Sequence, residues 1–263
     1  MSDVLGIINC GIYAEDVSQD EEQYALENGW IKLESPKYND TWCQGRQTRI
    51  KNSELVYNKK IRKMLDPCSN IESCVKRLDE CDKNELKTVY EQYIKIKSNQ
   101  YKESDEIFAD FYTHDDFFDD LLIDPDYKKI IEYRENGKLH AFVICRTYEK
   151  TNAITSIQFC WDYHKPKIFL GKYSCIKEIE MCIDEGREYL YLGCGYENMC
   201  FYKSMYKGFE WWTGSEWSSD KEGYRTLCAT DTNTKDIYEL GQLEEEYTGK
   251  FFFSPKEIKN RQK

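Results

Sequence analysis

The pattern of hydrophobic and polar positions predicts a long amphipathic helix followed by an antiparallel sheet. Within residues 85–98, apolar side chains recur with helical spacing and share one face: Leu86, Val89, Tyr93 and Ile96. Residues 128–149 read as two strands around Asn136-Gly137, a dipeptide that favours a tight hairpin turn. Residues 153–162 supply the next strand. This part of the chain is therefore expected to form a helix, a hairpin and a third strand.

The stretch from residue 171 to residue 217 predicts a helix, a buried strand and a second helix. The isoleucines of the first helix share one face, and charged residues lie mostly off it: Ile176, Ile179 and Ile183 against Lys177, Glu178, Asp184 and Glu185. Residues 189–192 form a nearly continuous apolar run, as expected of a strand covered on both faces. After a Gly-Cys-Gly break, Asn198 opens the second predicted helix and Gly208 ends it.

This order of elements resembles the second half of the GNAT acyltransferase fold, in which the N-terminal amides of a helix face an acyl donor. The segments LGKYS, YLYLG and K-x-M-Y-K more specifically resemble the C-terminal half of the aminoacyl-tRNA–protein transferases. That family comprises eukaryotic arginyltransferases and bacterial leucyltransferases that modify N-terminal Asp or Glu. The resemblance implies an α/β (α+β) GNAT-like fold whose mixed, largely antiparallel sheet is flanked by helices.

The N-terminal part of the chain resembles the opening of the same family in three short stretches. These stretches are residues 10–13, residues 24–30 with the Asn28-Gly29 turn signal, and residues 43–50. The resemblance implies a small N-terminal subdomain over residues 1–66 and a GNAT-like transferase domain over residues 67–263.

The resemblance also implies candidate site residues. Tyr202 is the candidate for protonating a leaving group, with Tyr206 beside it, although either could be a core tyrosine. The residues expected to bind the acyl donor or the acceptor are Arg46, Arg49, Gly171, Lys172, Tyr173, Gly193, Asn198, Lys203 and Lys207. Lys203 and Lys207 stand at i and i+4 of the predicted second helix, so they are expected on one face. Simple solvation of these two lysines is the alternative.

Charge is distributed unevenly along the chain. The net charge of −11 argues against a protein that coats nucleic acid non-specifically. Residues 46–63 nevertheless hold seven positive residues and one acid, Glu54, which gives 7 − 1 = +6. This segment suggests a phosphate-binding surface for the tRNA acceptor arm or a pocket for an acidic N-terminal residue, because arginine binds either group through two parallel bonds. A solvated amphipathic face is the alternative.

Cysteine usage favours a reduced protein without a bound metal. The twelve cysteines are scattered and form no C-x-x-C pair. The resembling family often carries paired cysteines that hold a metal or an iron–sulfur cluster, whereas this chain has isolated Cys10 and Cys43, with Cys68 and Cys74 further on. Four thiolates could converge in space, but the spacing favours no metal and no other cofactor. His114 has no recognisable metal spacing.

These features favour a cytoplasmic aminoacyl-tRNA-dependent transferase that adds an amino acid, arginine or leucine by resemblance, to the N-terminus of a protein. Charged tRNA and an acidic N-terminus are the expected partners, and DNA is not expected. A membrane is not expected either, because no long apolar run or secretory signal occurs. The alternatives are an acetyl-CoA-dependent N-acetyltransferase and a non-catalytic binder of acidic N-termini. The single glycine of PKIFLGKYSC disfavours coenzyme A. GFEWWTGSEW departs from the family's F-x-P-x-E-like segment, so the amino acid and the acceptor stay open.

Overall fold

Eleven strands, seven α-helices and several short 3-10 helices make up the parts of the chain that the computed structural model describes, which are residues 12–14, 17–33, 42–101, 117–165 and 168–233. The strands are β1 Ile12–Ala14, β2 Trp30–Lys32, β3 Trp42–Gln44, β4 Gln47–Lys51, β5 Glu72–Arg77, β6 Lys128–Glu135, β7 Lys138–Thr147, β8 Ala153–Trp161, β9 Tyr189–Cys194, β10 Phe209–Trp212 and β11 Trp217–Ser218. The helices are α1 Glu22–Glu27, α2 Lys59–Leu65, α3 Lys83–Tyr101, α4 Phe117–Leu121, α5 Leu170–Asp184, α6 Glu197–Cys200 and α7 Lys221–Asn233. Cys10 and His114 lie outside the described residues.

Most strands join one mixed sheet. Eight of them follow the order β11-β10-β4-β9-β8-β7-β6-β5, and β1, β3 and β2 form a small separate sheet. Every described pairing in the large sheet is antiparallel except that between β8 and β9. These two strands run parallel because α5 carries the chain back between them. The fold class predicted from the sequence, a largely antiparallel mixed sheet flanked by helices, is confirmed.

Helices cover the two faces of the large sheet, and the alternation along β7 shows how. Ala141, Val143 and Cys145 pack into a cluster that contains apolar residues of α2 and α5. Phe142 and Ile144 point the other way and pack with residues of α3 and α4. Because successive strand side chains alternate between faces, one ten-residue strand contributes to both cores.

Several element predictions are confirmed. The hairpin turns at Asn136-Gly137, where both residues have positive φ as a tight hairpin requires. The predicted helices appear as α3 and α5, and the predicted strands appear as β8 and β9. The division into residues 1–66 and 67–263 stays a prediction, and β4 from the first of these ranges lies within the large sheet, between β9 and β10.

Other details of the sequence pattern are wrong. Ile183 is 46% exposed, while Glu178, assigned to the polar side of α5, is buried. On α3, Ile94 rather than Ile96 is buried with the predicted apolar residues. The predicted second helix after Asn198 is the four-residue α6 followed by a 3-10 helix, Phe201–Met205.

Candidate active site

The two parallel strands at the centre of the large sheet separate after three residue pairs. Ala153, Ile154 and Thr155 of β8 pair with Tyr189, Leu190 and Tyr191 of β9, and no further pair joins them. Beyond this point β8 continues to Trp161 and β9 continues to Cys194 along β4. The two strand ends therefore splay apart, and the gap between them is the candidate active site.

A bulge in β9 shapes one side of this gap. Thr48 and Arg49 of β4 face Gly193 and Tyr191, so Leu192 has no partner on β4. Gly193 has φ of 75°, a conformation that glycine adopts without strain. A Cβ added at Gly193 would meet nothing within 4 Å, so the backbone borders open space at this point.

Lys203 occupies the hydrogen-bonding edge of β9 at the point where β8 has separated from it. Its Nζ donates hydrogen bonds to the carbonyl oxygens of Leu192 and Cys194, each at 2.7 Å. The residue is only 8% exposed. Because the ammonium satisfies carbonyls that a neighbouring strand would otherwise pair, it stabilises the separated state of the two strands.

A buried polar chain runs from the sheet to α5 near this lysine. Tyr133 donates its hydroxyl hydrogen to Ser174 Oγ, and Ser174 donates in turn to Glu178 Oε1, both at 2.9 Å. Glu178 Oε2 makes no hydrogen bond within the described part of the chain. Burial raises the pKa of Glu178, while Ser156, Ser174 and the charge of Lys203 act in the opposite direction. A carboxyl that retains its proton more readily than usual therefore lies beneath the gap.

The two candidate catalytic tyrosines differ in their surroundings. Tyr206 is buried, and its hydroxyl donates to the backbone oxygen of Lys172 at 3.0 Å, which ties the segment after the 3-10 helix to the start of α5. The Tyr202 residue is 40% exposed. Burial of its hydroxyl, and then the nearby Cys175, Cys200 and Glu178, raise the pKa of Tyr202. Both tyrosines keep their proton at neutral pH, and the raised pKa makes Tyr202 a weaker acid than usual, so Tyr202 is preferred only because it is exposed while the Tyr206 hydroxyl is already engaged.

The start of α5 borders the gap on the other side. Gly171 lies in the first turn, where a Cβ would reach 3.5 Å from the ring of Phe159 on β8. Lys172 Nζ lies 4.7 Å from the ring centroid of Phe169, which is 49% exposed. Tyr173 is buried and donates its hydroxyl hydrogen to the Ile71 carbonyl. The backbone around Gly171, rather than the Tyr173 side chain, thus faces the site.

Lys207 and Asn198 lie apart from the buried lysine. The 3-10 helix ends at Met205 and Tyr206 has extended backbone, so Lys207 leaves the helix and is exposed while Lys203 is buried. The prediction that these two lysines share a helical face is therefore wrong. Asn198 is exposed on α6.

The two arginines assigned to a basic surface are buried ion pairs. Arg46 Nη1 lies 2.5 Å from Asp231 on α7. Arg49 Nε lies 2.7 Å from Glu210, and its guanidinium is sandwiched at 4.1 Å between the rings of Tyr189 and Trp217. Neither guanidinium faces solvent, so the prediction that Arg46 and Arg49 belong to a phosphate-binding surface is wrong. The exposed cations of the segment lie on α2: Lys59, Lys60, Arg62 and Lys63.

Cys43 is buried beside Cys194, not beside Cys68 or Cys74. The Gln47 amide lies within hydrogen-bonding distance of both sulfurs, 3.6 Å from Cys43 and 3.3 Å from Cys194. The hydrogen bond with the Cys194 thiol, followed by burial, raises the pKa of Cys43 well above its usual value.

The segment that forms this gap is also the segment that matches a known protein family. The model of the C-terminal part of arginine-tRNA-protein transferases matches the sequence from α3 to β10. The match covers residues 85–213. The resemblance expected from the sequence is confirmed, and the domain supports an acyltransferase. None of the curated proteins matches the chain at a significant level.

Solved structures similar to this chain are distant. The C-terminal domain of a putative lysylphosphatidylglycerol synthetase from Agrobacterium fabrum shares 14% identity at a TM-score of 0.45, covering 77% of this chain and 56% of its own. L-PGS from Bacillus licheniformis shares 12% identity at 0.43, covering 90% and 74%. A putative GNAT acetyltransferase from Desulfovibrio desulfuricans shares 12% identity at 0.31, covering 44% and 68%. The chain therefore spans little more than half of the first structure.

Sequence reasoning missed the polar residues beneath the gap. Ser174 and Glu178 stand at i and i+4 of α5, a spacing that places them on one helical face, but nothing in the sequence reveals that this face is buried. Among the described residues, no helix has the length and apolar character needed to cross a membrane.

Proposed function

We propose that the protein is an aminoacyl-tRNA-dependent transferase that adds an amino acid to the N-terminal amine of a protein or peptide, with an acidic N-terminal residue as the preferred acceptor. The observation that carries this proposal is the family match over residues 85–213, which includes both β8 and β9 and the start of α5. The part of the chain that resembles these transferases is thus the part that forms the gap.

The proposed reaction does not need a strong general base. An α-amine has a pKa of about 7.7–8.0, so part of it is neutral and nucleophilic at physiological pH. It attacks the carbonyl carbon of the aminoacyl ester, and the backbone amides at the start of α5 would stabilise the oxyanion. The ester C–O bond then breaks, and the tRNA hydroxyl leaves with the proton that Tyr202 donates. The attacking nitrogen loses its extra proton as the new amide forms, and this proton, relayed by water, restores the Tyr202 hydroxyl.

The protonation states of the buried groups agree with these roles. The Tyr202 hydroxyl is protonated at neutral pH, as a proton donor requires, and burial raises its pKa and so weakens it as an acid. Lys203 holds the carbonyls of Leu192 and Cys194, so it acts as a positioning residue for the β9 edge rather than as a nucleophile. Most of the rate enhancement would then come from holding an activated ester and an amine in contact.

The exposed cations of α2 supply a surface for tRNA phosphates. α2 packs on the same face of the sheet as α5, with Ile61 and Met64 in the cluster that holds Ile176 and Ile179. One of its four exposed cations, Lys60, lies close enough to Lys221 for its charge, after burial, to lower the Lys221 pKa. A concentration of positive charge on the helix layer that contains α5 suits the acceptor arm of a charged tRNA.

Transfer is tested by incubating the protein with a charged tRNA pool and, separately, with acetyl-CoA, each with an Asp-led and an Ala-led peptide. Mass spectrometry should show the Asp-led peptide gaining one amino-acid residue with charged tRNA only. Acetylation with acetyl-CoA alone would contradict the proposal in favour of an acetyltransferase. No gain with either donor would contradict it in favour of a binding protein.

The tRNA surface is tested by reversing charge on α2 with Lys60→Glu and Lys63→Glu together. Binding of tRNA should weaken, and the slope of log K against log salt should become shallower by roughly 1–2, as loss of two phosphate contacts requires. Lys83→Glu with Lys87→Glu on α3, which packs on the opposite face of the sheet, is the matched control. Equal effects of the two pairs would mean that α2 has no specific role.

A further inference from the structure

A cluster of two histidines and two carboxylates lies at the C-terminal end of β8, outside the proposed chemistry. Glu135 ends β6, His140 lies on β7, and Asp162 and His164 follow β8. The pairing of β6 with β7 and of β7 with β8 brings these three segments together, and Asp162 N donates to the His140 carbonyl. Side-chain exposure is low throughout, from 5% for Asp162 to 18% for His164.

Asp162 fixes the same tautomer in both imidazole rings. Its Oδ2 lies 2.7 Å from His140 Nδ1, and its Oδ1 lies 2.9 Å from His164 Nδ1. The rings stack with centroids 3.6 Å apart and an interplanar angle of 20°. A carboxylate accepts hydrogen bonds, so each Nδ1 carries the proton and, in the neutral ring, each Nε2 keeps a free lone pair. One carboxylate thus places two nitrogen donors side by side, and because the lone pairs of stacked rings run nearly parallel, one ring has to tilt out of the stack for both to reach one ion.

Glu135 presents an oxygen to the same space. Its Oε2 lies 3.3 Å from His164 Nε2, and its other oxygen is paired with Lys165. One ligand atom each from Glu135, His140 and His164 lie within 4.8 Å of one another. Metal–ligand bonds of about 2.0–2.1 Å in a tetrahedron place adjacent ligands about 3.3–3.4 Å apart, which is the separation observed between Glu135 and His164.

We propose that Glu135, His140 and His164 form a binding site for Zn²⁺, with Asp162 orienting both histidines. Two imidazole nitrogens and one carboxylate oxygen are a ligand set that zinc accepts, and a fourth position would remain for water. A carboxylate that accepts the second ring N–H of a metal-bound histidine is the usual supporting contact around zinc, and here one residue supplies it twice.

This site departs from the expectation, based on cysteine spacing, that no metal is bound. It uses none of the cysteines and lies on different elements. Its position suggests a structural consequence, because Asp162 and His164 belong to the connection between β8 and the start of α5. A metal held there would fix the end of β8 at the side where the strands splay. The proposal does not depend on the nature of the acyl donor or of the acceptor.

The alternative occupant of the space between Glu135 and His164 is a proton. A doubly protonated His164 would donate from Nε2 to Glu135 and form an ion pair without any metal. The two possibilities predict opposite results when Zn²⁺ is added to the metal-free protein, so a direct binding measurement distinguishes them.

The test is titration of chelator-treated full-length protein with Zn²⁺ in competition with a chromophoric chelator. Wild type should bind one Zn²⁺ per chain at this site. His164→Gln and Glu135→Gln should each weaken binding by more than the roughly 10–100-fold that loss of a supporting contact costs, and Asp162→Asn should fall within that range. The third histidine of the chain provides the matched control, since His114→Gln should bind as wild type does.

X-ray absorption on zinc-loaded wild type keeps the proposal falsifiable even if a variant fails to fold. The expected first shell contains nitrogen and oxygen at about 2.0–2.2 Å and no sulfur. Sulfur at about 2.3 Å would assign the metal to cysteines and overturn the proposal. Failure of wild type to bind Zn²⁺, or equal affinity of His164→Gln and His114→Gln, would overturn it as well.

Discussion

Lys203 is the residue whose removal tests most sharply how the gap is kept open. Its Nζ donates to two carbonyl oxygens of β9 at 2.7 Å, on the edge where β8 has already separated. Lys203→Met keeps an unbranched apolar side chain of similar length and removes the ammonium. The two carbonyls then lose their partner in a region where the lysine itself was almost fully buried.

The expected loss follows from these two contacts. Hydrogen bonds to a charged group contribute about 1.5–3 kcal/mol each, which gives about 3–6 kcal/mol for the pair. Relief of the desolvation cost of the ammonium offsets part of this loss and leaves a net destabilisation of about 2–3 kcal/mol. At about 2–4 °C per kcal/mol for a chain of this size, Tm should fall by about 4–12 °C.

The assay is thermal and urea unfolding of Lys203→Met beside Lys207→Met. Lys207 lies four residues further on and is exposed, so its variant should stay within about 0.5 kcal/mol of wild type. Equal Tm values for the two variants would show that Lys203 does not stabilise the separated strand and would refute this reasoning.

Two further variants test the same region. Burial raises the pKa of Glu178 above its ordinary 4.5, so the folded protein holds this proton more tightly than the unfolded chain does. The resulting stabilisation is fully present below the pKa of the unfolded chain and is lost as pH rises through the pKa of the folded state. Glu178→Gln should therefore gain stability relative to wild type in urea titrations as pH rises above the ordinary carboxyl pKa of 4.5, and a constant difference would contradict the burial argument. Gly193→Ala should cost about 1–2 kcal/mol because of its positive φ. Gly171→Ala, in the first turn of α5, should be neutral or stabilising, and a loss equal to that of Gly193→Ala would contradict the strain argument.

Periodicity was sufficient to predict four of the eight strands of the large sheet, β6 to β9, and the two long helices. The Asn136-Gly137 hairpin and α5 follow from local rules, since turn chemistry and the spacing of apolar residues act over a few positions. The same rules do not give the separation of β8 from β9. That feature depends on Lys203, which reaches β9 from a later segment, and on a bulge at Leu192.

Charge patterning was the least reliable guide to the site. Arg46 and Arg49 count toward a positive segment, yet their acidic partners Asp231 and Glu210 lie more than 150 positions away in the sequence. The histidine cluster was hidden for the same reason. His140 and His164 are 24 positions apart and come together only through antiparallel pairing of β7 with β8.

The most direct test of the central claim is hydrogen–deuterium exchange with a charged tRNA analogue whose aminoacyl group is held by a stable amide. If the gap between β8 and β9 holds the activated carbonyl, exchange should slow in peptides covering the start of α5 and the end of β9 (residues 168–173 and 192–195), beyond any slowing caused by the uncharged tRNA. Residues 83–95 of α3 should exchange as in the free protein. Identical protection by charged analogue and uncharged tRNA in those two peptides would contradict the claim.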